Sequence, residues 1–216
     1  MFTRDTIDDA FVIETERLTL RWPALTDATA IERLAGDKRV AEMTALIPHP
    51  YPPGGAEPFI FAARLANADG SALTLVVTPR RKAREVMGVV GIHADDRPEP
   101  FIGLWLGVPH WGKGFATEAV RAMVDTLFEE TGASGLTAGV RVVNPASRRV
   151  LEKSGFKHEG SGLVPFPARG GVLPVDFMRL DRRTWRSLKG WRDPLFVGLA
   201  ARERVRQTKS LLGGVT

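Results

Sequence analysis

The sequence of 216 residues contains no cysteine, a single tyrosine and only four histidines. Without cysteine the chain forms no disulfide framework and cannot use thiol catalysis. The histidines, His49, His93, His110 and His158, show no metal-ligand spacing. No apolar run approaches the roughly 18 residues that a membrane helix needs, and charged residues precede the first apolar stretch, unlike a signal peptide. We therefore predict a cytoplasmic protein with no metal site and no membrane partner.

The chain is basic, with 30 lysines and arginines against 25 acidic residues and a net charge of +5. The basic clusters lie at residues 80–84, at Arg148 and Arg149, and in the tail from Arg182 onward. Because none of them carries the interleaved aromatic residues of a single-strand binding platform, we predict no nucleic-acid partner. The length favours one domain, residues 1–185, and a basic extension, residues 186–216, that is either partly disordered or helical over about 194–212.

The hydrophobic pattern predicts an α/β (α+β) fold. A strand is expected over residues 11–22, helices from Thr26 or Asp27 to 34 and over 39–43, and a fixed proline-rich loop over 45–55. A further helix is expected from residue 56 or 57 to 68. Its predicted apolar side comprises Phe59, Phe61, Ala62, Leu65 and Ala66.

The second half of the chain begins with an antiparallel meander. Its strands are predicted at residues 73–78, 86–93 and 101–108, joined by short connections. A helix over 115–131, a strand over 136–143 and a helix from Asn144 to Gly155 follow. Two further strands close the pattern, one after Phe156 and one over 172–180.

Two closely spaced glycines lie where the third meander strand meets the next helix, in Trp111-Gly112-Lys113-Gly114. Free amides and the helix dipole make such a junction suitable for a phosphate. A Walker loop would need Ser or Thr where Gly114 stands, and a dinucleotide fingerprint would need glycine where Thr117 stands. A pyrophosphate cradle without a metal remains, with an ordinary tight turn as the alternative.

Residues 111–119 (WGKGFATEA) and 144–156 (NPASRRVLEKSGF) together resemble the GNAT superfamily of acyl-CoA-dependent N-acetyltransferases. The likeness is greatest to the branch that acetylates the N-terminal alanine or serine of ribosomal proteins. Residues 15–21 (TERLTLR), 47–52 (IPHPYP) and 103–107 (GLWLG) also look like that branch, and the resemblance covers roughly residues 11–185. It implies a mostly antiparallel central sheet flanked by helices, with a splayed V between the central strands.

The resemblance also implies that acetyl-CoA is the co-substrate. Backbone amides of residues 112–117 would hold its pyrophosphate, and the preceding strand would splay at a bulge near Leu106 to Val108, offering an N–H to the thioester oxygen. The implied CoA-binding residues are Leu106, Gly107, Val108, Trp111, Gly112, Lys113, Gly114, Phe115, Ala116, Thr117, Asn144, Ser147 and Arg149. For Gly107, an ordinary strand glycine is the alternative interpretation.

The same resemblance assigns Asn144 to the pantetheine arm and Ser147 to protonation of the departing sulfur, directly or through water. The alternative is structural, because Asn followed by Pro is a good helix start by itself. Many members of the family use a tyrosine seven residues after the Asn, where this chain has Leu151. Tyrosine acid catalysis is therefore excluded, and the catalytic candidates are Ser147, Asn144 and, as a general base, Glu159.

The general base is not fixed by the sequence, because Asp176 and His110 are further candidates besides Glu159. A lysine amine costs about 4.6 kcal/mol to deprotonate at pH 7 and an α-amine only about 1, so the absence of an obvious base favours an α-amine. Residues 49–53, the following helix and residues 164–171 are expected to set acceptor specificity, with Tyr51 and Phe166 as candidate lining residues.

The expected activity is acetyl transfer from acetyl-CoA to a primary amine by direct attack in a ternary complex. A protein N-terminal amine is the leading acceptor and a small-molecule amine the alternative. A CoA-binding module without turnover is a third hypothesis, and a second copy of the chain, forming a homodimer, is a candidate partner.

Overall fold

The computed structural model describes residues 1–2, 7–94 and 98–190. The helix expected over 194–212 lies outside these residues. From the first helix to the last strand, the strands and helices follow the predicted order along the chain. The first predicted strand is replaced by two.

The N-terminal apolar stretch forms a hairpin, so the prediction of one strand over 11–22 is wrong. Strand β1 (Val12–Glu14) pairs antiparallel with β2 (Leu18–Arg21). The turn between them is closed by the Thr15 amide, which donates to the Leu18 carbonyl at 2.9 Å. Two charged residues that interrupt the apolar pattern, Glu16 and Arg17, occupy this turn and are exposed to solvent.

Apart from the last helix (Arg182–Lys189) and the 3-10 helices, which were not predicted, the remaining elements have bounds within a few residues of those predicted. The helices are α1 (Ala28–Ala35), α2 (Lys38–Ala41), α3 (Ala56–Asp69), α4 (Phe115–Glu130), α5 (Pro145–Lys153) and α6 (Arg182–Lys189). The strands are β3 (Ala72–Pro79), β4 (Gly88–His93), β5 (Phe101–Leu106), β6 (Gly135–Arg141), β7 (Lys157–Phe166) and β8 (Gly171–Asp181). Short 3-10 helices lie at Leu25–Asp27, Val108–His110 and Pro167–Arg169.

The strands form one sheet of eight in the order β1-β2-β3-β4-β5-β6-β8-β7. Every neighbouring pair is antiparallel except β5 and β6, which run parallel and pair at Phe101 and Thr137. Beyond that point the two strands separate, because β5 keeps its register with β4 to Leu106 while β6 keeps its register with β8 to Arg141. The splayed V implied by the family resemblance is therefore confirmed.

Helices cover the two faces of the sheet. Helix α4 packs with Leu75, Val77 and Val90 in the larger core. Helices α1 and α3 pack in a second cluster on the opposite face, with the alternate residues Val76 and Val89. The alternation follows from the period of two in a strand, and it places α1 and α4 on opposite sides of the V.

Helix α3 buries a different side from the one predicted. Phe61 and Leu65 are 59% and 69% exposed. The buried residues are Ala56, Ile60, Ala63 and Asn67. The Asn67 side chain donates to the Thr74 carbonyl at 2.9 Å and accepts from the Thr74 amide at 2.7 Å. This pairing of a polar side chain with β3 rotates the helix away from the orientation that apolar spacing suggests.

The predicted domain boundary at residue 185 falls inside α6. Trp185 is 6% exposed, its ring lies 5.1 Å from that of Phe128, and its Nε1 donates to Asp125 at 2.6 Å. Lys189 forms an ion pair with Glu129 on α4. The packed domain therefore extends to the end of α6 at least.

Candidate active site

Helix α4 begins with amides that face no side-chain cap. Its N-cap residue is Gly114, with φ 79°, and the intrahelical bonds start with the Glu118 amide, which donates to the Gly114 carbonyl at 3.1 Å. Gly112 has φ 73°, and nothing lies within 4 Å of where its Cβ would be. Since the amides of Phe115, Ala116 and Thr117 have no partner within the helix, the junction has the donor set of an anion site.

A buried carboxylate ties this junction to the N-terminal hairpin. Glu118, 9% exposed, accepts from the Thr15 hydroxyl at 2.6 Å, from the Arg17 amide at 2.9 Å and from Arg17 Nε at 2.7 Å. Arg17 also donates through Nη1 to the Lys113 carbonyl at 2.9 Å, and its guanidinium lies 4.8 Å from the centre of the Phe115 ring. With the Lys113 carbonyl turned toward Arg17, the glycine loop is anchored at its middle.

The start of α5 is held by a reciprocal pair of side-chain bonds. The Ser147 amide donates to Asn144 Oδ1 at 3.1 Å, and Asn144 Nδ2 donates to Ser147 Oγ at 3.0 Å. The N-cap role predicted for Asn144 is therefore confirmed. Since Ser147 Oγ receives a hydrogen from Asn144, its own hydroxyl hydrogen remains to be donated to another acceptor.

The backbone of β5 shows which amides face the opening of the V. The Gly107 amide donates to the Met87 carbonyl at 2.8 Å, on the β4 side. Alternate residues of an antiparallel strand point their backbone groups to opposite edges, so Leu104 and Leu106 point theirs toward β6. The Leu106 carbonyl accepts from Trp111 Nε1 at 2.7 Å. The Leu106 amide lies on the same edge of the strand and is directed into the V.

The expected bulge at residues 106–108 is absent from this geometry. Register with β4 stays regular to Leu106, and Gly107 has φ −60°, within the range of any residue. A Cβ on Gly107 would lie 2.5 Å from the end of the Leu34 side chain, so a larger residue here would require Leu34 to shift. Divergence of two regular strands, rather than a bulge, opens the V.

A cleft of about 400 Å³ lies between these elements. It brings together ten of the thirteen predicted CoA-binding residues, namely Leu106, Trp111, Gly112, Gly114, Phe115, Ala116, Thr117, Asn144, Ser147 and Arg149. Gly107, Val108 and Lys113 do not line it. The Lys113 ammonium folds back onto the Pro109 carbonyl at 2.8 Å, so we correct its expected contribution at the rim.

Three candidate bases occupy three different environments. Glu159, half exposed and 4.0 Å from Arg179, lies at the register irregularity between His158 and Gly160 in β7. It does not line the cleft, so its role as the base stays a prediction. Asp176 is buried and ion-paired with Arg148 at 2.9 Å. A hydrogen bond from Ser161 lowers the pKa of Asp176, which makes it a weaker base.

Of the three candidates, His110 lines the cleft. Partial burial lowers the pKa of its imidazole, and the positive charge of Lys113 lowers it further. His110 is consequently neutral near pH 7, the form that accepts a proton.

One side of the cleft is formed by a segment that the sequence did not indicate. Val40, Met43 and Thr44 line it, together with Leu104 and Trp105. The expected loop, residues 49–53, instead folds against α1, with His49 Nδ1 3.0 Å from the Gly36 carbonyl and Tyr51 in the α1–α3 cluster. Burial, with a contribution from Glu32, raises the pKa of Tyr51, consistent with a packing role.

Three further cleft residues on α5, Ala146, Val150 and Lys153, were not predicted. For Lys153 a signal was present, because it follows Arg149 by four residues and therefore shares its helix face. The two cations lie on the same side of the cleft as the α4 amides, which suits an anionic ligand. For Val40 and Met43 the sequence gives no signal, since their position depends on how α2 packs.

In the described part of the chain, no group of three or more His, Asp or Glu side chains is arranged to hold a metal ion. Over the same residues, no helix combines the length and apolar character needed to cross a bilayer.

Comparison with known proteins identifies relatives of the whole domain. Residues 17–157 match the Acetyltransferase (GNAT) domain family. The chain is 30% identical over 175 residues, 79% of its length and 96% of the relative's, to an uncharacterized N-acetyltransferase, p20, of Bacillus licheniformis.

Two solved structures illustrate how widely the fold is shared. One is the ribosomal-protein-S5-alanine acetyltransferase of Vibrio fischeri, with TM-score 0.69, 20% identity and coverage of 81% of this chain and 98% of that one. The other is the spermidine N-acetyltransferase of Vibrio cholerae in complex with CoA and spermine, with TM-score 0.65, 21% identity and coverage of 78% and 98%. At these identities the likeness establishes the fold.

Proposed function

Because the chain belongs to the acetyltransferase (GNAT) family and transfers an acetyl group from acetyl-CoA to an amine, we propose that this amine is the N-terminal α-amino group of a protein. The observation that carries the proposal is the cleft itself, where unpaired α4 amides and the Asn144–Ser147 pair meet at the open V. Its lining contains a neutral histidine and no carboxylate base. An α-amine, which costs only about 1 kcal/mol to deprotonate at pH 7, suits such a site better than a lysine amine.

Each group in the cleft has a role in this proposal. Amides of Phe115, Ala116 and Thr117 hold the diphosphate of CoA, with Arg149 and Lys153 adding positive charge. CoA supplies the acetyl group as a thioester. The Leu106 amide, directed into the V, donates to the carbonyl oxygen as negative charge develops there, an effect typically worth about a hundredfold in rate.

Proton transfers complete the roles. His110 accepts the proton that the attacking amine loses, directly or through water. Ser147 Oγ donates its remaining hydrogen to the departing sulfur, and Asn144 Nδ2 orients that hydroxyl. Direct attack in a ternary complex suits a chain that has no cysteine to carry the acetyl group.

Substitutions at the start of α5 test these assignments. Ser147→Ala should lower kcat about a hundredfold, the range of general acid catalysis, and change the Kd for acetyl-CoA less than about threefold. Asn144→Asp keeps a side chain that caps helices but removes the donor to Ser147, so it should lower kcat while preserving thermal stability. A Ser147→Ala enzyme with unchanged kcat would refute the acid assignment.

The acceptor is tested by measuring release of free CoA with N-terminal peptides and with small amines. Release with peptides alone supports the proposal, whereas release with small amines alone supports the alternative acceptor class. Binding of acetyl-CoA in a calorimeter without release to any acceptor would indicate a regulatory module.

A further inference from the structure

Two arginines on the acceptor side of the sheet carry charge that no carboxylate neutralises. Arg141, the last residue of β6, donates through Nη1 to the Glu42 carbonyl at 2.5 Å. Arg169, in the Pro167–Arg169 turn, donates through Nη2 to the Ile47 carbonyl. Within residues 1–2, 7–94 and 98–190, neither guanidinium forms an ion pair, and the Nε atom of each is buried without a hydrogen-bond acceptor.

Two other arginines near the site, Arg17 and Arg148, have acidic partners. Arg17 pairs with Glu118 at 2.6 Å and Arg148 with Asp176 at 2.9 Å. Arg141 meets the carbonyl of Glu42, whereas the Glu42 carboxylate lies 3.6 Å from Lys38. A guanidinium carries five N–H donors and Arg141 bonds one carbonyl, so its Nη groups, rather than the buried Nε, are the donors that a ligand would meet.

The direction of Arg141 separates it from the phosphate end of the cleft. Val140 packs in the core with α4, so the next residue along β6 points to the opposite face, where α1 lies. Its contact, Glu42, directly precedes the cleft residues Met43 and Thr44. The Arg141 carbonyl accepts from the Asn144 amide at 2.7 Å, which fixes β6 against the start of α5. Arg141 therefore lies beside the segment that carries the cleft residues Met43 and Thr44.

Nearby groups hold the guanidinium in place. It lies 5.9 Å from the centre of the buried Phe166 ring, a contact that orients a flat cation. Arg169 follows Phe166 by three residues, and the Ala168 amide donates to the Ala45 carbonyl at 3.1 Å. Both arginines consequently border the segment 42–47. Each guanidinium has more N–H donors than the one carbonyl that it bonds.

We propose that Arg141, assisted by Arg169, binds a carboxylate of the acceptor, so that the enzyme selects N-terminal peptides with Asp or Glu next to the acetylated residue. The proposal rests on the proposed function and names the class of peptide that the site accepts. A guanidinium matches a carboxylate through two parallel hydrogen bonds, which a neutral amide side chain cannot reproduce. The same charges disfavour polycationic acceptors such as polyamines.

Paired peptides test the selection. Acetylation is measured with a Ser-Asp peptide and with its Ser-Asn counterpart, which has the same shape without the charge. We expect kcat/KM to favour the acidic peptide about tenfold or more. Arg141→Met should remove most of this preference by lowering kcat/KM for the acidic peptide, while the neutral peptide changes less than about twofold. Arg141→Lys should retain part of the preference, because it keeps the charge without the fork.

Arg81→Met is the matched control, since it removes the same charge from an exposed turn between β3 and β4. It should leave the ratio between the two peptides unchanged. An equal loss for both peptides in Arg141→Met would show that the arginine only tethers residues 42–47, and absence of an acidic preference in the unmodified enzyme would refute the proposal.

Calorimetry on the CoA-loaded enzyme separates this proposal from the proposed function. Tighter binding of the acidic peptide, reduced in Arg141→Met, supports the carboxylate site even if no peptide is acetylated. Acetylation of both peptides at equal rates with equal affinities would leave the proposed function standing and overturn the carboxylate site.

Discussion

Replacing Arg17 with methionine tests whether the loop before α4 depends on the N-terminal hairpin for its shape. The change removes a charge-assisted hydrogen bond from Nε to Glu118 at 2.7 Å, the ion-pair contact of Nη2 with the same carboxylate at 2.6 Å, and the bond to the Lys113 carbonyl at 2.9 Å. Glu118 keeps its bonds from the Thr15 hydroxyl and the residue 17 amide, but its buried carboxylate loses the cation.

The expected cost follows from burial. A fully buried ion pair broken on one side costs about 3–5 kcal/mol, whereas an exposed pair contributes about 0–1 kcal/mol. The Arg17 side chain is 44% exposed and that of Glu118 9%, so we expect a loss between these limits, about 2 kcal/mol. For a chain of this size that lowers Tm by about 4–8 °C.

The effect on acetyl-CoA binding shows whether Arg17 positions the glycine loop or only stabilises the fold. With the Lys113 carbonyl released, the loop must be ordered by the ligand, and we expect acetyl-CoA to bind about tenfold more weakly, or about 1.4 kcal/mol. The KM for the acceptor should not change. Calorimetric Kd, thermal melting and steady-state kinetics measure the three quantities.

Arg80→Met is the control for this substitution. Arg80 pairs with Glu14 at 3.6 Å beside the same hairpin, with both side chains about half exposed. Its loss should change stability by less than about 0.5 kcal/mol and leave the Kd unchanged. If Arg17→Met lowers Tm but binds acetyl-CoA within about twofold of the unmodified protein, the arginine stabilises the fold without shaping the loop, and the reasoning fails.

Two further predictions follow from the structure. Gly114→Ala places a side chain at φ 79°, which costs about 1–2 kcal/mol, and should weaken acetyl-CoA binding; Gly54→Ala, at φ 73° in open space, should cost stability without changing the Kd. A hydrogen bond from Ser161, together with the nearby charges of Arg148 and His158, lowers the pKa of Asp176. The ionised form of Asp176 therefore stabilises the fold above the unfolded pKa of about 3.9, and this contribution is lost as pH falls through the lower folded value. Asp176→Asn should flatten the fall of the urea midpoint below about pH 4, and an unchanged slope would contradict the assignment.

The two motifs that the sequence indicated most directly are built from neighbours along the chain. Asn144 and Ser147 bind each other across three residues, and Gly112 and Gly114 adopt their left-handed conformations within one loop. Short connections likewise determine the antiparallel pairing of β3, β4 and β5. Such features need only local spacing and backbone preference, and this chain's sequence carries both.

Errors arose where position depends on distant contacts. Apolar spacing suggested the wrong side of α3 because the polar side chain of Asn67 is buried through its bonds to Thr74 of β3. A pattern of apolar residues alone does not reveal such a contact. Glu159, a candidate base from the sequence, lies at the register irregularity between His158 and Gly160 in β7 and does not line the cleft. The loop at residues 49–53 was expected to line the cleft, where Val40, Met43 and Thr44 lie instead.

By itself the sequence determined the glycine loop before α4, the helix start at Asn144 and the order of most strands, because each is encoded within a few neighbouring residues. Tertiary structure decided where β5 leaves β6, that Arg17 meets Glu118 across 101 residues, and that Arg141 meets the Glu42 carbonyl across 99. Those contacts depend on sheet register and on helix packing against opposite faces, and both are set by the whole chain at once.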